Sequence, residues 1–208
     1  MKLHGIDLDP IGCRVCFHVE KDGDFEPESM AAWLGAISPG DTVIDCGAYT
    51  GLYAIAAAVR KGAKALAFEP NQVVFYRLRA NISRNKTKVH HYMQALSDKA
   101  ETRDFWTKHE MTSAGRFRER SGAKKVTVDC VTIDSLKACR SRVAAIKIDV
   151  EGAEMAVLRG ADMVLRRDHP LVVAEALTDA ARQALVLHMT GLGYNWRSAD
   201  GRNLVFFT

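Results

Sequence analysis

No apolar run in the 208-residue sequence approaches the roughly 18 residues that a bilayer-crossing helix needs. The stretch MKLHGIDLDPIGCRVCF at the N-terminus lacks the long apolar core of a secretory signal. The expectation is a cytoplasmic protein with no membrane span. Cysteine is sparse, and its count of five is odd. Cys13, Cys16, Cys46, Cys130 and Cys139 do not read as a disulfide framework in a chain of this size. Cys13 and Cys16 form a C-x-x-C, but a structural zinc needs about four ligands and no second Cys or His pair stands at a suitable spacing. Reduced structural thiols and no metal site are expected. Charge of one sign is also lacking. A net charge of +4 is too weak to argue for nucleic acid by itself. No aromatic-rich basic stripe suggests base stacking. What positive charge there is gathers in RFRERSGAKK (Arg116 to Lys125) and KACRSR (Lys137 to Arg142). Those stretches fit either solvated loops or a rim that attracts an anionic substrate.

The chain has no internal repeat, low-complexity segment or linker, and it is long enough for one domain with a sizeable core. Strand and helix signals alternate. TVIDC (Thr42 to Cys46) is a β-branched run ending at a glycine turn, and Gly51 to Arg60 has helical composition. AKALAFE (Ala63 to Glu69) is a second strand. Pro70 to Asn85 is helical, with Val74, Leu78 and Ile82 on one face. KVHHYMQA (Lys88 to Ala95) reads as a third strand. AAIKIDV (Ala144 to Val150) is another, followed by one helix to about Arg167. PLVVAEA (Pro170 to Ala176) comes next, then a helix from Thr178 to Thr190 ended by Gly191 and Gly193. Two short β runs around Ala199-Asp200-Gly201 read as a hairpin. This pattern predicts an α/β fold whose mostly parallel sheet is covered on both faces, with a C-terminal antiparallel hairpin. About fifty residues before AAIKIDV break the rhythm, with TRDFW and KVTVDCVTI as short strands. Loops this long are usually functional, so residues 98–142 are expected to be a substrate-side insertion.

In an open α/β sheet, ligands bind at the carboxyl ends of strands where the strand order reverses. Asp45 sits at such an end. Gly47 and Gly51 permit a tight turn and close approach of backbone to ligand. The helix beginning near Gly51 points its free N–H groups into the turn. The turn D-C-G-A-Y-T-G lacks the second glycine of the dinucleotide fingerprint. Glu69 ends the second strand 18 residues after Gly51, where a carboxylate can accept hydrogen bonds from both ribose hydroxyls. Turn and acid together predict a nucleoside and leave its class open.

The stretches PGDTVIDCGAYTG, FEPN, ALSD and IKIDVEGAEMAVLRGA occur in an order and spacing that resembles the FkbM-type methyltransferases. The likeness runs from about Phe25 to Glu175, and IKIDVEGAE is its most specific piece. The resemblance implies an S-adenosylmethionine-dependent enzyme with the Rossmann-like class I fold of seven strands, and the insertion lying before the fourth. It implies that Asp45, Gly47, Ala48, Tyr49 and Gly51 surround the methionine part of S-adenosylmethionine. Glu69 would hold the ribose, beside Pro70 and Asn71. Ala95, Leu96 and Ser97 would flank the adenine. Glu26 and Ser113 stand where the family often has an acid and a serine near the cofactor. Tyr49 replaces the asparagine common in the family's GANIG, so a phenol stands in for an amide there.

KIDVEGAE gathers Lys147, Asp149, Glu151 and Glu154. Alternation along a strand sends Lys147 and Asp149 to the same face, with Asp149 at the strand's carboxyl end beside the expected cofactor. Acids are favoured in a first helical turn, which accounts for Glu154. Methyl transfer from a sulfonium is an in-line displacement, and positioning supplies roughly 7–11 kcal/mol of its barrier lowering. A hydroxyl acceptor must also lose its proton, to a general base or a metal-bound group. Asp149 is the first candidate for that base, or for orienting the acceptor. Glu175, ending VVAEA on the next strand, can face the same cleft, and His109 in the insertion is a further candidate. Two acids on neighbouring strand ends suit Mg²⁺, but no third ligand is visible. His90 and His91 are consecutive on a strand and face opposite ways, one expected toward the core and the other under a helix.

The reading these residues favour is O-methylation of a hydroxyl on a small molecule, sugar or glycan, with S-adenosylhomocysteine as the second product. An N-methyltransferase acting on nucleic acid would be expected to show Asn/Asp-Pro-Pro-aromatic after the fourth strand, where this chain reads D-V-E-G. Another amine acceptor stays open. A nicotinamide-dependent dehydrogenase wants a denser glycine pattern. A non-catalytic nucleotide-binding module shares the fold, though the retained Asp149 argues against it. One domain over residues 1–208 is expected, with a lead-in over 1–38. Monomer and homodimer stay open.

Overall fold

The computed structural model describes residues 5–9, 15, 16, 19, 25–107, 117 and 121–208. Helix α1 (Pro27–Gly35) precedes β1 (Thr42–Cys46), α2 (Leu52–Lys61), β2 (Lys64–Phe68), α3 (Gln72–Arg84) and β3 (His90–Tyr92). Then come β4 (Ala95–Leu96), β5 (Glu101–Thr107) and β6 (Lys124–Val131), followed by two 3₁₀ turns, Ile133–Ser135 and Lys137–Arg140. β7 (Val143–Ile148), α4 (Glu154–Arg159), α5 (Asp162–Asp168), β8 (Leu171–Glu175), α6 (Asp179–Gly191), β9 (Asn195–Ala199) and β10 (Asn203–Phe207) complete it. None of the described helices is long and apolar enough to cross a membrane.

The main sheet has seven strands in the order β3-β2-β1-β7-β8-β10-β9. β10 alone runs antiparallel, against both β8 and β9. This is the expected mostly parallel sheet with a terminal hairpin. Chain direction across the sheet reverses between β1 and β7, which pair in parallel. Every residue of both strands is buried, as a central parallel sheet covered on two faces requires. Alternation sorts their side chains. Val43 and Ala145 pack with Trp33, Ile55 and Leu78 under α1, α2 and α3. Ile44 and Ile146 pack with Leu158, Leu165 and Leu185 under α4, α5 and α6. Asp45 and Lys147, two residues on from Val43 and Ala145, therefore fall on the α1–α2 face.

The expected insertion forms a second sheet in the order β4-β6-β5. Its two long strands pair antiparallel from Glu101↔Cys130 to Thr107↔Lys124. Three expectations need correction. The single strand predicted over Lys88 to Ala95 is split, with β3 in the main sheet and β4 in the second. The single helix predicted up to Arg167 is two. Asp134, from the first 3₁₀ turn, accepts the N–H groups of Met163 and Val164 at 3.0 Å each and so starts α5 as a new helix. Gly160 sits at the break, and a Cβ there would overlap the Ser97 carbonyl. Of the histidine pair, one differs. β3 is an edge strand, so His90 is exposed rather than core-facing, while His91 is half-buried against Phe75 of α3, under a helix as expected.

Candidate functional site

A cavity of about 490 Å³ opens where β1, β2, β7 and β8 end. Its place is the switch point of the sheet, and its size falls in the range of small-molecule sites. The β1 turn forms one side. Gly47 has φ +73°, and a Cβ on it would overlap the Asp149 carbonyl oxygen. Only glycine lets the chain leave β1 this close to β7. The Gly47 and Ala48 N–H groups donate to the Phe68 carbonyl at 3.0 and 2.9 Å. Tyr49 follows in the left-handed region (φ +49°). That turn aims the Tyr49 N–H at Glu69 Oε2, 3.0 Å away, while the Asn71 N–H reaches Glu69 Oε1 at 2.8 Å. Asp45 Oδ2 accepts the Ala54 N–H at 3.0 Å, in the first turn of α2, where the helix dipole favours an anion. Burial still dominates both acids. It pushes Asp45 up to about 7, against the pull of Lys147 and the Ala54 amide. It pushes Glu69 up to about 8, against its two amides.

The ends of β7 and β8 form the other side. Lys147 is almost fully buried, with its Nζ 3.6 Å from Asp149 Oδ2 and 5.2 Å from the centre of the Tyr53 ring. Burial opposes its charge, but Asp149, Glu26, Asp45 and Glu175 outweigh burial and hold Lys147 above its usual range. Glu175, half-buried, is pushed up to about 7. Burial is the largest cause and the Asp149 charge the next, with Lys147 opposing and a hydrogen bond to Asp149 retaining the proton. Tyr53 is placed by α1: its ring meets Trp33 edge-on at 5.7 Å, and its hydroxyl donates to Glu26 Oε2 at 2.7 Å. Glu26 itself takes the left-handed region (φ +48°) just before Pro27, which turns the chain into α1.

Most of the residues singled out from the sequence converge here. Asp45, Gly47, Ala48, Tyr49, Glu69 and Pro70 line the cavity. So do Glu26, Ala95, Leu96, Asp149 and Glu175, from four other stretches of chain. Gly51, Asn71 and Ser97 do not. Gly51 starts α2 in the left-handed region, where a Cβ would meet Leu78. The Asn71 side chain caps α3 at Val73 and reaches Thr107. The Ser97 hydroxyl is fully buried and turned to Asp98. His109, Ser113 and Cys13 lie outside the described residues, as do Arg116 and residues 118–120 of the first basic stretch. The Lys137 to Arg142 cluster lies off the cavity, with Arg140 lining a separate shallow depression. Glu154 accepts the Gly152 N–H at 2.8 Å, the helix-start role expected of it. Among the described residues no group of three His, Cys, Asp or Glu is arranged to hold a metal ion.

The sequence reading did not single out Tyr53, Phe25, Phe105, Phe117 or Arg202, which also line the cavity. Phe105 and Phe117 come from the inserted segment and meet edge-on at 5.4 Å. No spacing rule brings such distant residues together. For Lys147 a signal existed, because its shared face with Asp149 was readable.

Comparison with known proteins bears on the fold and the family. The chain superposes on a methyltransferase FkbM from Methylobacillus flagellatus KT with a TM-score of 0.62 and 16% identity, over 83% of this chain. It spans only 44% of that protein's length. A ribosomal protein L11 methylase from Lactobacillus delbrueckii subsp. bulgaricus gives a TM-score of 0.60 at 12% identity, covering 97% of this chain and 82% of that one. A precorrin-6y C5,15-methyltransferase from Geobacter metallireducens GS-15 gives 0.55 at 13%, covering 86% of each. At such identities the likeness shows the fold, which is the Rossmann-like class I methyltransferase fold expected above. No curated protein matches the sequence. The model of the methyltransferase FkbM domain matches residues 45–195, from the acid of the β1 turn to the first residue of β9. With that match covering well over half of its length, the chain belongs to the methyltransferase FkbM domain family.

Proposed function

We propose that the chain is an S-adenosylmethionine-dependent O-methyltransferase acting on a hydroxyl of a small molecule, sugar or glycan. The observation that carries this reading is the pair of carboxyls, Asp149 and Glu175, that meet at neighbouring strand ends. A base whose proton affinity lies near 7 is matched to deprotonating a hydroxyl at neutral pH.

The cavity suits the donor. Among the described residues six carboxyl groups line it (Glu26, Asp45, Glu69, Asp149, Glu151 and Glu175) against two cations, Lys147 and Arg202. Such a wall favours a sulfonium and repels the pyrophosphate of a dinucleotide. Glu69 uses one acceptor site on each oxygen for backbone amides. A carboxylate has about four such sites, so two remain for ribose hydroxyls. Asp45, Gly47, Ala48 and Tyr49 would surround the methionine portion, and Ala95 and Leu96 the adenine. When bound, S-adenosylmethionine supplies an electrophilic methyl group on sulfur. The chain's own part is to place the acceptor and take its proton. Asp149 orients the acceptor hydroxyl, and the Glu175 carboxylate accepts the proton.

Calorimetric titration tests the reading. S-adenosylhomocysteine is expected to bind and NAD is not, and the reverse would sink it. Asp149→Asn is expected to keep S-adenosylhomocysteine affinity while losing turnover on an accepted alcohol. Unchanged turnover would remove Asp149 from the chemistry.

A further inference from the structure

Lys147 Nζ has no hydrogen-bond partner among the described residues, although its side chain is only 3% exposed. An ammonium carries three N–H donors, and burying them unmatched is unfavourable. Its charge, by contrast, is well matched. Asp149 approaches from the end of β7, Asp45 from the register-paired position on β1, and Glu175 from β8. Glu26 faces it from the start of α1, and the Tyr53 ring from α2. None of these acids takes a hydrogen bond from it. Asp45 Oδ2 is turned to the Ala54 amide, and Glu26 Oε2 to the Tyr53 hydroxyl. The surroundings fix a cation in the cavity wall and leave its donors for a guest.

We infer that Lys147 Nζ receives the α-carboxylate of the donor's methionine portion. The inference rests on the reading that S-adenosylmethionine binds in this cavity. That carboxylate is the donor's one anionic group, and a cation in the wall is its natural partner. Of the two cations among the described lining residues, Arg202 is exposed in the turn between β9 and β10, whereas Lys147 is buried beside Asp45 and Tyr53. An acceptor hydroxyl also offers an oxygen, but it is neutral, and Asp149 and Glu175 already account for it.

The test alters ligand and side chain in turn. Calorimetry would compare S-adenosylhomocysteine, its decarboxylated analogue and 5′-methylthioadenosine, on the wild-type chain and on Lys147→Met. The wild type is expected to prefer S-adenosylhomocysteine over the decarboxylated analogue by roughly 10- to 100-fold, the range of one charge-assisted hydrogen bond. Lys147→Met should abolish that preference and leave 5′-methylthioadenosine affinity unchanged, which also reports that the variant is folded. Where Lys147→Met does not fold, Lys147→Arg should fold and keep the preference. No preference in the wild type, or a preference that survives Lys147→Met, overturns the assignment. Intact preference with lost turnover would move Lys147 to the acceptor and overturn it as well. Failure of all three ligands to bind the wild type would instead overturn the donor reading, and this assignment with it.

Discussion

The two sides of the cavity use the same residue types in opposite ways. On the β1–β2 side the carboxylates are tied to backbone, Asp45 to the Ala54 amide and Glu69 to the Tyr49 and Asn71 amides. On the β7–β8 side the charged groups face one another. Glu175 leans on Asp149, and Lys147 Nζ has no hydrogen-bond partner among the described residues. Backbone amides are positioned by the fold itself, so the first side is set before any ligand arrives. The second side is held by opposing charges and completed by what enters. A wall fixed by backbone beside a wall held by charges lets one side of the cavity stay preset while the other adjusts to what enters.

The largest effect expected from breaking this contrast is on the side held by charges. Glu175→Gln should lower kcat by about 10²- to 10⁴-fold, the usual contribution of a general base. It should leave S-adenosylhomocysteine affinity unchanged. In the wild type, kcat/KM should rise with pH through about 7 as Glu175 loses its proton. A rise through 7 that persists in Glu175→Gln would show that another group is the base.

Next comes the backbone that sets the β1–β2 side. Gly47→Ala should cost about 3 kcal/mol of unfolding free energy in urea titration, because positive φ and overlap with the Asp149 carbonyl add together. Gly62→Ala, also at positive φ but facing open space, should cost about 1 kcal/mol. Equal losses would mean that the approach of β1 to β7 is not tight.

A smaller effect sharpens the account of Glu69. Its folded-state proton affinity is raised from an ordinary 4.5 to about 8, so the folded chain binds more protons than the unfolded chain between those values. Its contribution to stability therefore falls as pH rises through that window. The ligand-free wild type should lose on the order of 2 kcal/mol relative to Glu69→Gln between pH 5 and 8. Parallel stability curves for the two proteins would show that Glu69 is not desolvated. The smallest effect is expected at the exposed pair of Lys125 and Asp104, 2.7 Å apart. Lys125→Ala should change stability by less than about 1 kcal/mol, which sets the scale against which the buried Lys147 is judged.

What was legible in the sequence is what neighbours in the chain determine. β1 runs from Thr42 to Cys46 as read from its β-branched run and glycine stop, and the inserted strands fall on TRDFW and KVTVDCVTI. Asp45, Gly47 and Glu69 were legible because strand ends and turn spacing fix them. Two kinds of feature were not. One kind depends on a partner far away. Asp134 starts α5 from 29 residues upstream of Met163, which no helical periodicity around Arg159 reveals. Tyr53, Phe105 and Arg202 reach the cavity only through the packing of separate elements. The other kind depends on competition. Asn71 and Ser97 have polar side chains beside the expected ligand, but neighbouring groups engage them first. Sequence shows that a side chain is polar, and only the fold shows what has already claimed it.

The small β4-β6-β5 sheet leaves the main sheet after β3 and returns to it at β7, with two residues between β3 and β4. Its side chains Phe105 and Phe117 form part of the cavity wall, and Thr107 touches the main body at Asn71. The strands within it keep their own register. Mutations, or whole exchanges, in this ribbon can reshape one wall while the seven-stranded register and the Gly47 turn stay as they are. For evolution and for engineering alike, β5 and β6 offer a place to change one wall of the cavity without disturbing the sheet that holds the rest.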